Sequence, residues 1–169
     1  IMTDLQFIYN WTEEPDYGEG EYAATFADFE IYVGDKCITQ HVATEEEDKK
    51  VYDALRRPLY PIAEWLAGNW WNLFFESFTE GKTEEDDYVH RHNLRYGRDG
   101  FALPEVEFRP EGDTVSVRWD NSDLEYYRTK FIDDGHAHIQ TESLRRAVAH
   151  FLDSVDDRLK ARDIDDTPF

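Results

Sequence analysis

Apolar residues recur along this chain with two different periods, and the periods divide it into strands and helices. Leu5, Phe7, Tyr9 and Trp11 alternate with polar neighbours, which predicts a strand from Leu5 to Trp11. Tyr22 to Val33 reads as a second, long strand, and Gly34-Asp35-Lys36 as the hairpin turn that returns it through a third strand, Cys37 to Val42. Val51 to Leu55 fits either a short strand or a helical turn. The period then changes to that of a helix. Ile62, Leu66, Trp70 and Leu73 recur at helical spacing within PLYPIAEWLAGNWWNLFFESF, with Phe74 in a neighbouring position and Ile62, Leu66, Leu73 and Phe74 expected in the core, and two prolines stand at its start, where a missing N–H is harmless. One helix over residues 61–77 is expected, buried on more than one side. Gly68 inside it is explained, on this reading, by close packing.

Alternation resumes in Tyr88 to Tyr96, Glu105 to Arg109, Thr114 to Trp119, Glu125 to Ile132 and His136 to Gln140. Pro110-Glu111-Gly112-Asp113 and Asp133-Asp134-Gly135 supply the turns between the last four. The final element is an amphipathic helix over residues 142–161. Leu144, Val148, Phe151, Leu152 and Val155 form its apolar stripe, and Arg145, Arg146, Asp153, Asp157 and Arg158 its polar side. The pattern predicts an α+β fold: about eight antiparallel strands in meanders and hairpins, packed with two main helices. One domain is expected over residues 1–162, followed by a loosely held tail, 163–169.

Composition narrows the function classes. Of 169 residues, 40% are hydrophobic and 15% aromatic, enough for a core and unlike a disordered chain. The 38 acids outnumber 18 bases, for a formal charge of −20. Such a chain is repelled by nucleic acid and by anionic lipid, so neither is an expected direct partner. The acidity fits a solubilising surface, a docking face for a basic protein, or a DNA mimic that occupies a nucleic-acid site. No apolar run approaches a membrane span, and Ile1 to Asp4 lacks the parts of a signal peptide. Cys37 is alone, which suits a reducing cytoplasm and excludes a disulfide framework.

Four groups of residues could carry chemistry. His90/His92 and His136/His138 are two His-x-His pairs, each able to present two imidazoles on one strand face to a zinc ion. Their plain alternative is strand histidines without a ligand, and no other cofactor is expected. Cys37 and His41 resemble a thiol–imidazole pair, but four residues along a strand separate them by about 13 Å. Arg91, Arg95 and Arg98 form a basic group able to hold an anion or a partner's carboxylate, unless they pair with this chain's own acids. Trp70 and Trp71 are adjacent on a helix, so their directions differ by about 100° and one of them leaves a single-sided core. An exposed tryptophan there is a candidate partner contact. The chain contains no Gly-rich phosphate loop, nucleophile elbow or H-E-x-x-H helix.

Three passages and the C-terminal end carry a resemblance. They are FADFEIYVGDKCITQ, LYPIAEWLAGNWWNLFFE, HNLRYGRDGFALPEVEFRPEGDTVSVRW and FLDSVDDRLKARDIDDTPF. Together they resemble the N-terminal domain that precedes the zinc peptidase domain in some bacterial proteins of the ImmA/IrrE type. The peptidase helix is absent from this sequence, so no catalytic residue is carried over. The resemblance implies a non-catalytic regulatory module of a bacterial stress, toxin–antitoxin or phage-defence system. Its partner on this reading is a peptidase, an effector or a repressor-like protein. It leaves open whether the chain is an excised or a free-standing domain. An acidic DNA-mimic inhibitor and a small metal-binding enzyme using the histidine pairs are the alternatives.

Overall fold

The computed structural model describes residues 3–13, 20–76, 91–94, 103–121, 125–126 and 128–164. The fold is α+β. Strand β1 (Leu5–Trp11) is followed by a single helical turn, α1 (Glu21–Ala24), and then by β2 (Phe26–Val33). The two strands pair antiparallel over the whole of β1, from Leu5 opposite Val33 to Trp11 opposite Ala27. Alternation on β1 holds as expected: Leu5 is buried, and Phe7, Tyr9 and Trp11 pack against the core. The turn after β2 needs glycine. Gly34 has φ 63° and donates its N–H to the Asp4 carbonyl at 2.8 Å, and an added Cβ would lie 2.7 Å from Thr3 Oγ1.

The expected third strand is divided. Only β3 (Lys36–Cys37) pairs with β2. The chain then crosses into β4 (His41–Ala43), which belongs to another sheet, in the order β5-β4-β10-β9. There β5 is Val51–Tyr52, β9 is Glu125–Tyr126 and β10 is Thr129–Phe131. After β5 the chain returns to β2 as β6 (Leu55–Pro58). The N-terminal part of the expected long strand, from Tyr22, is instead the α1 turn.

The expected helix 61–77 is two helices, α2 (Tyr60–Gly68) and α3 (Trp70–Phe74). Asn69 is the break. Its backbone leaves helical geometry at φ −107°, ψ 17°, and its side-chain amide donates to the Trp65 carbonyl at 2.9 Å. A side chain that competes for a helix carbonyl favours this kind of interruption. Gly68 is exposed, and an added Cβ would meet nothing within 4 Å, so close packing does not account for it. Ile62 and Leu66 on α2, with Leu73 and Phe74 on α3, are all buried.

The third sheet has the order β11-β8-β7, all antiparallel: β7 is Val106–Glu111, β8 Thr114–Trp119 and β11 Gly135–Gln140. β11 pairs with β8 and not with the strand that precedes it, as the Asp133-Asp134-Gly135 turn had suggested. Gly135 stands opposite Trp119, and an added Cβ would lie 2.7 Å from the indole. The expected strand 88–96 is described only at residues 91–94, which form a helical turn and one bridge, Asn93 to Glu107.

Helix α4 (Thr141–Ala161) begins directly after β11. Leu144, Val148, Phe151, Leu152 and Val155 bury its apolar stripe. Phe151 is central: its ring lies 4.9 Å from Phe7, 5.6 Å from Tyr9 and 6.1 Å from Phe29. Arg158, placed by pattern on the polar side, reaches inward. It donates to the Ala24 carbonyl at 2.9 Å and lies 5.4 Å from the Trp11 ring, fastening α1 beneath the helix. Residues 165–169 of the expected tail lie outside the described residues. No helix among the described residues is long and apolar enough to cross a membrane.

Candidate functional site

The two adjacent tryptophans part company on α3. Trp70 is half-buried and meets Phe74 edge-on, with centroids 4.8 Å apart. It lines a cavity of about 270 Å³ between α2 and α4, with Ala67, Ala149, Leu152 and Asp153. Trp71 points outward and is 66% exposed. One helical turn later comes Phe75, 46% exposed, and the two rings stack at 5.1 Å and 27°. Phe75 also borders a cavity of about 560 Å³ formed with Phe74, the β7–β8 turn (Gly112, Asp113, Thr114) and the start of α4 (Gln140 to Glu142). The result is an exposed aromatic pair on the rim of a cavity that also holds two acids.

Glu76 fixes this corner. Its Oε2 accepts from Asn72 Nδ2 at 2.8 Å and faces His92 Nε2 at 3.0 Å, while Oε1 accepts from Arg91 Nη2 at 3.2 Å. His92 is fully buried, and its Nδ1 lies 2.9 Å from the Phe108 carbonyl on β7. Both ring nitrogens therefore face oxygen atoms of neighbouring segments. Burial works to raise the Glu76 pKa. The hydrogen bonds from Arg91, Asn72 and His92 outweigh it and hold the carboxyl below its usual range. The end of α3 is thus tied through Glu76 and His92 to the third sheet, and the aromatic pair stands on a fixed base.

The other sequence candidates are placed elsewhere. Arg91 is engaged by Glu76, so it pairs with the chain's own acid. Arg95, Arg98 and His90 lie outside the described residues. His92 is a buried structural group beside β7, whereas His136 and His138 are exposed on β11, at the opposite edge of the same sheet. Of the four histidines, the three described ones therefore do not converge: His92 stands apart from His136 and His138. His138 Nδ1 lies 3.7 Å from Glu111 Oε2. Among the described residues no group of three or more His, Cys, Asp or Glu is placed to hold a metal ion.

Cys37 and His41 are also apart in role. Cys37 is buried, with Sγ 3.2 Å from Thr39 Oγ1, and burial pushes its thiol up, away from the reactive thiolate. His41 Nδ1 instead meets the Thr39 carbonyl at 2.9 Å.

Phe75 and the Glu76–His92 link are the features that sequence reasoning did not single out. The signal for both lay in spacing, since Trp71/Phe75 and Asn72/Glu76 are each four apart on a helix. The partner of Glu76 comes from a distant segment and has no local signature. No family model, curated protein or solved structure matches this chain.

Proposed function

We propose that the protein is a non-catalytic interaction and regulatory module that binds a protein partner through Trp71 and Phe75. The observation behind this reading is the exposure of two stacked aromatic rings at the end of α3. Large rings left in water represent lost burial, and tryptophan is the residue most enriched where binding energy concentrates. Because Glu76 and His92 hold the helix end, little ordering is needed on contact. Asp113 and Glu142 on the cavity rim, within a chain of charge −20, favour a partner whose contact face is basic. A Lys or Arg over the Trp71 face adds a cation–π contact.

The resemblance to the region before an ImmA/IrrE-type peptidase domain supports a bacterial stress, toxin–antitoxin or phage-defence setting. On that reading the partner is a peptidase, an effector or a repressor-like protein. The lone buried thiol of Cys37 suits a reducing cytoplasm. The test is co-purification from the native host, followed by affinity measurement with the partner recovered. Trp71→Ala is expected to weaken binding by about thirtyfold or more, a loss of about 2 kcal/mol, with an unchanged melting temperature. Full affinity in the Trp71→Ala/Phe75→Ala variant, or no partner at all, refutes the reading.

A further inference from the structure

Strand β1 pairs with β2 along one side, and no strand among the described residues lies along its other side from Leu5 to Trp11. The ladder shows which backbone groups face out. Gly34 donates to the Asp4 carbonyl, and Thr12 donates to that of Phe26. Even-numbered residues of this segment therefore turn their backbone groups toward β2, and Leu5, Phe7, Tyr9 and Trp11 turn theirs away. Thr3 has the same parity, and its N–H reaches the His138 carbonyl of β11 at 3.3 Å. β11 then ends at Gln140 and passes into α4, so it accompanies β1 no further.

The strand itself lacks three of the usual protections of an edge. LQFIYNW contains no charge and no proline, and its register with β2 runs without a bulge. Yet 33% of the whole chain is charged. The strand is also symmetric in chemistry about Ile8: aromatic Phe7 and Tyr9 flank it, then the amides Gln6 and Asn10, then apolar Leu5 and Trp11. Laid antiparallel against its own copy with Ile8 on the two-fold axis, Leu5 faces Trp11 and Phe7 faces Tyr9 as hydrogen-bonded pairs. All the outward N–H and C=O groups of those four residues then gain partners. Gln6 faces Asn10, and Ile8, 40% exposed, faces Ile8 on the outer surface.

Helix α4 runs beside this strand. Ala147 and His150 border a cavity of about 210 Å³ beside Leu5 to Tyr9. Ser143, one turn before Ala147, donates to Asp4 Oδ1 at 2.7 Å, which ties the start of the helix to the start of the strand.

We infer that the protein pairs with a second copy of itself through β1, antiparallel, with the two-fold axis at Ile8. The contact is isologous and joins two first sheets into one. It is separate from the Trp71–Phe75 surface. Each copy carries a charge of −20, so repulsion opposes the pair at long range and added salt strengthens it.

Single cysteines at Ile8, Gln6 and Asn10 in the full chain test the register under mild oxidation, with buried Cys37 as the unchanged background. Directly opposed Cβ atoms of a non-hydrogen-bonded pair lie about 4.5–5.5 Å apart, near disulfide reach. Ile8→Cys is expected to form a covalent dimer. Gln6→Cys and Asn10→Cys are each expected to stay single, and their mixture to cross-link. In sedimentation the unmodified chain is expected at twice the chain mass, and Ile8→Lys at the chain mass with its circular dichroism unchanged. A wild type that sediments as a single chain overturns the inference. So does cross-linking by Gln6→Cys alone, or a dimer that survives Ile8→Lys.

Discussion

Thr39 is a small residue in a demanding place, where the chain leaves the first sheet for the second. It is fully buried, and its hydroxyl accepts from Ile31 N–H at 3.3 Å and donates to the Asp53 carbonyl at 2.8 Å. Removing the hydroxyl while keeping the shape leaves the buried Ile31 N–H without this acceptor and the Asp53 carbonyl with only the longer contact from Cys37 Sγ at 3.6 Å. Thr39→Val is therefore expected to destabilise the protein by about 1–3 kcal/mol, read as a lower urea midpoint at unchanged slope. A midpoint equal to wild type contradicts this role. Sequence showed only a threonine within an expected strand. Trp71 was more legible: adjacent tryptophans on a helix must diverge, and the divergence was readable before any coordinates. Which ring leaves was not, because that depends on where α4 lies. Trp70 faces the cavity bordered by Ala149 and Leu152.

Among elements, the helices that carry Trp65 to Phe74 show how local chemistry and packing share control. The apolar spacing gave the helical period and its buried face. It did not give the break, because Asn69 at an α2–α3 junction is chemically no different from Asn in a helix until its amide meets the Trp65 carbonyl. Gly68 is the last residue of α2, exposed and in open space. Its cost relative to alanine is then mainly conformational, and nothing stands in the way of a methyl group. Gly68→Ala is expected to stabilise by about 0.4–1 kcal/mol, measured by thermal unfolding. A loss of stability instead shows that the junction needs glycine's freedom. Strands divide in the same way. The β7–β8 hairpin was readable from its turn residues. The passage of β4 into a separate sheet was not, since its partner β10 lies far along the chain.

At the scale of the whole molecule, charge sets the background and a few groups set the response to acid. Burial, the largest influence on His41, lowers its pKa from the ordinary 6.5. The Glu76 carboxyl lies below its ordinary 4.5, since bonds from Arg91, Asn72 and His92 outweigh burial. Both folded values are depressed, so the unfolded chain takes up each proton first as pH falls. Their stabilisation is intact above the unfolded values and is lost on acidification. Loss begins at about pH 6.5 for His41 and about pH 4.5 for Glu76. Falling pH also discharges a molecule of charge −20 and relieves repulsion, which acts the other way. Salt at about 0.5 M screens that term. In such salt the urea midpoint is expected to hold from pH 8 to 7 and then decline in two stages. A midpoint unchanged down to pH 4 contradicts these assignments.

The sequence by itself determined the α+β class, the faces of β1 and α4, the buried positions from Ile62 to Val155 and the acidic background. All of these rest on periodicity or composition, which are properties of neighbours along the chain. Tertiary structure alone decided that α3 is tied to β7 through Glu76 and His92, that Trp71 rather than Trp70 faces solvent, and that His92 stands at the opposite edge of a sheet from His136 and His138. It alone decided that, among the described residues, no strand lies along the outer side of β1. Each of these depends on which distant segments meet, and residues that meet across the fold leave no period in the sequence.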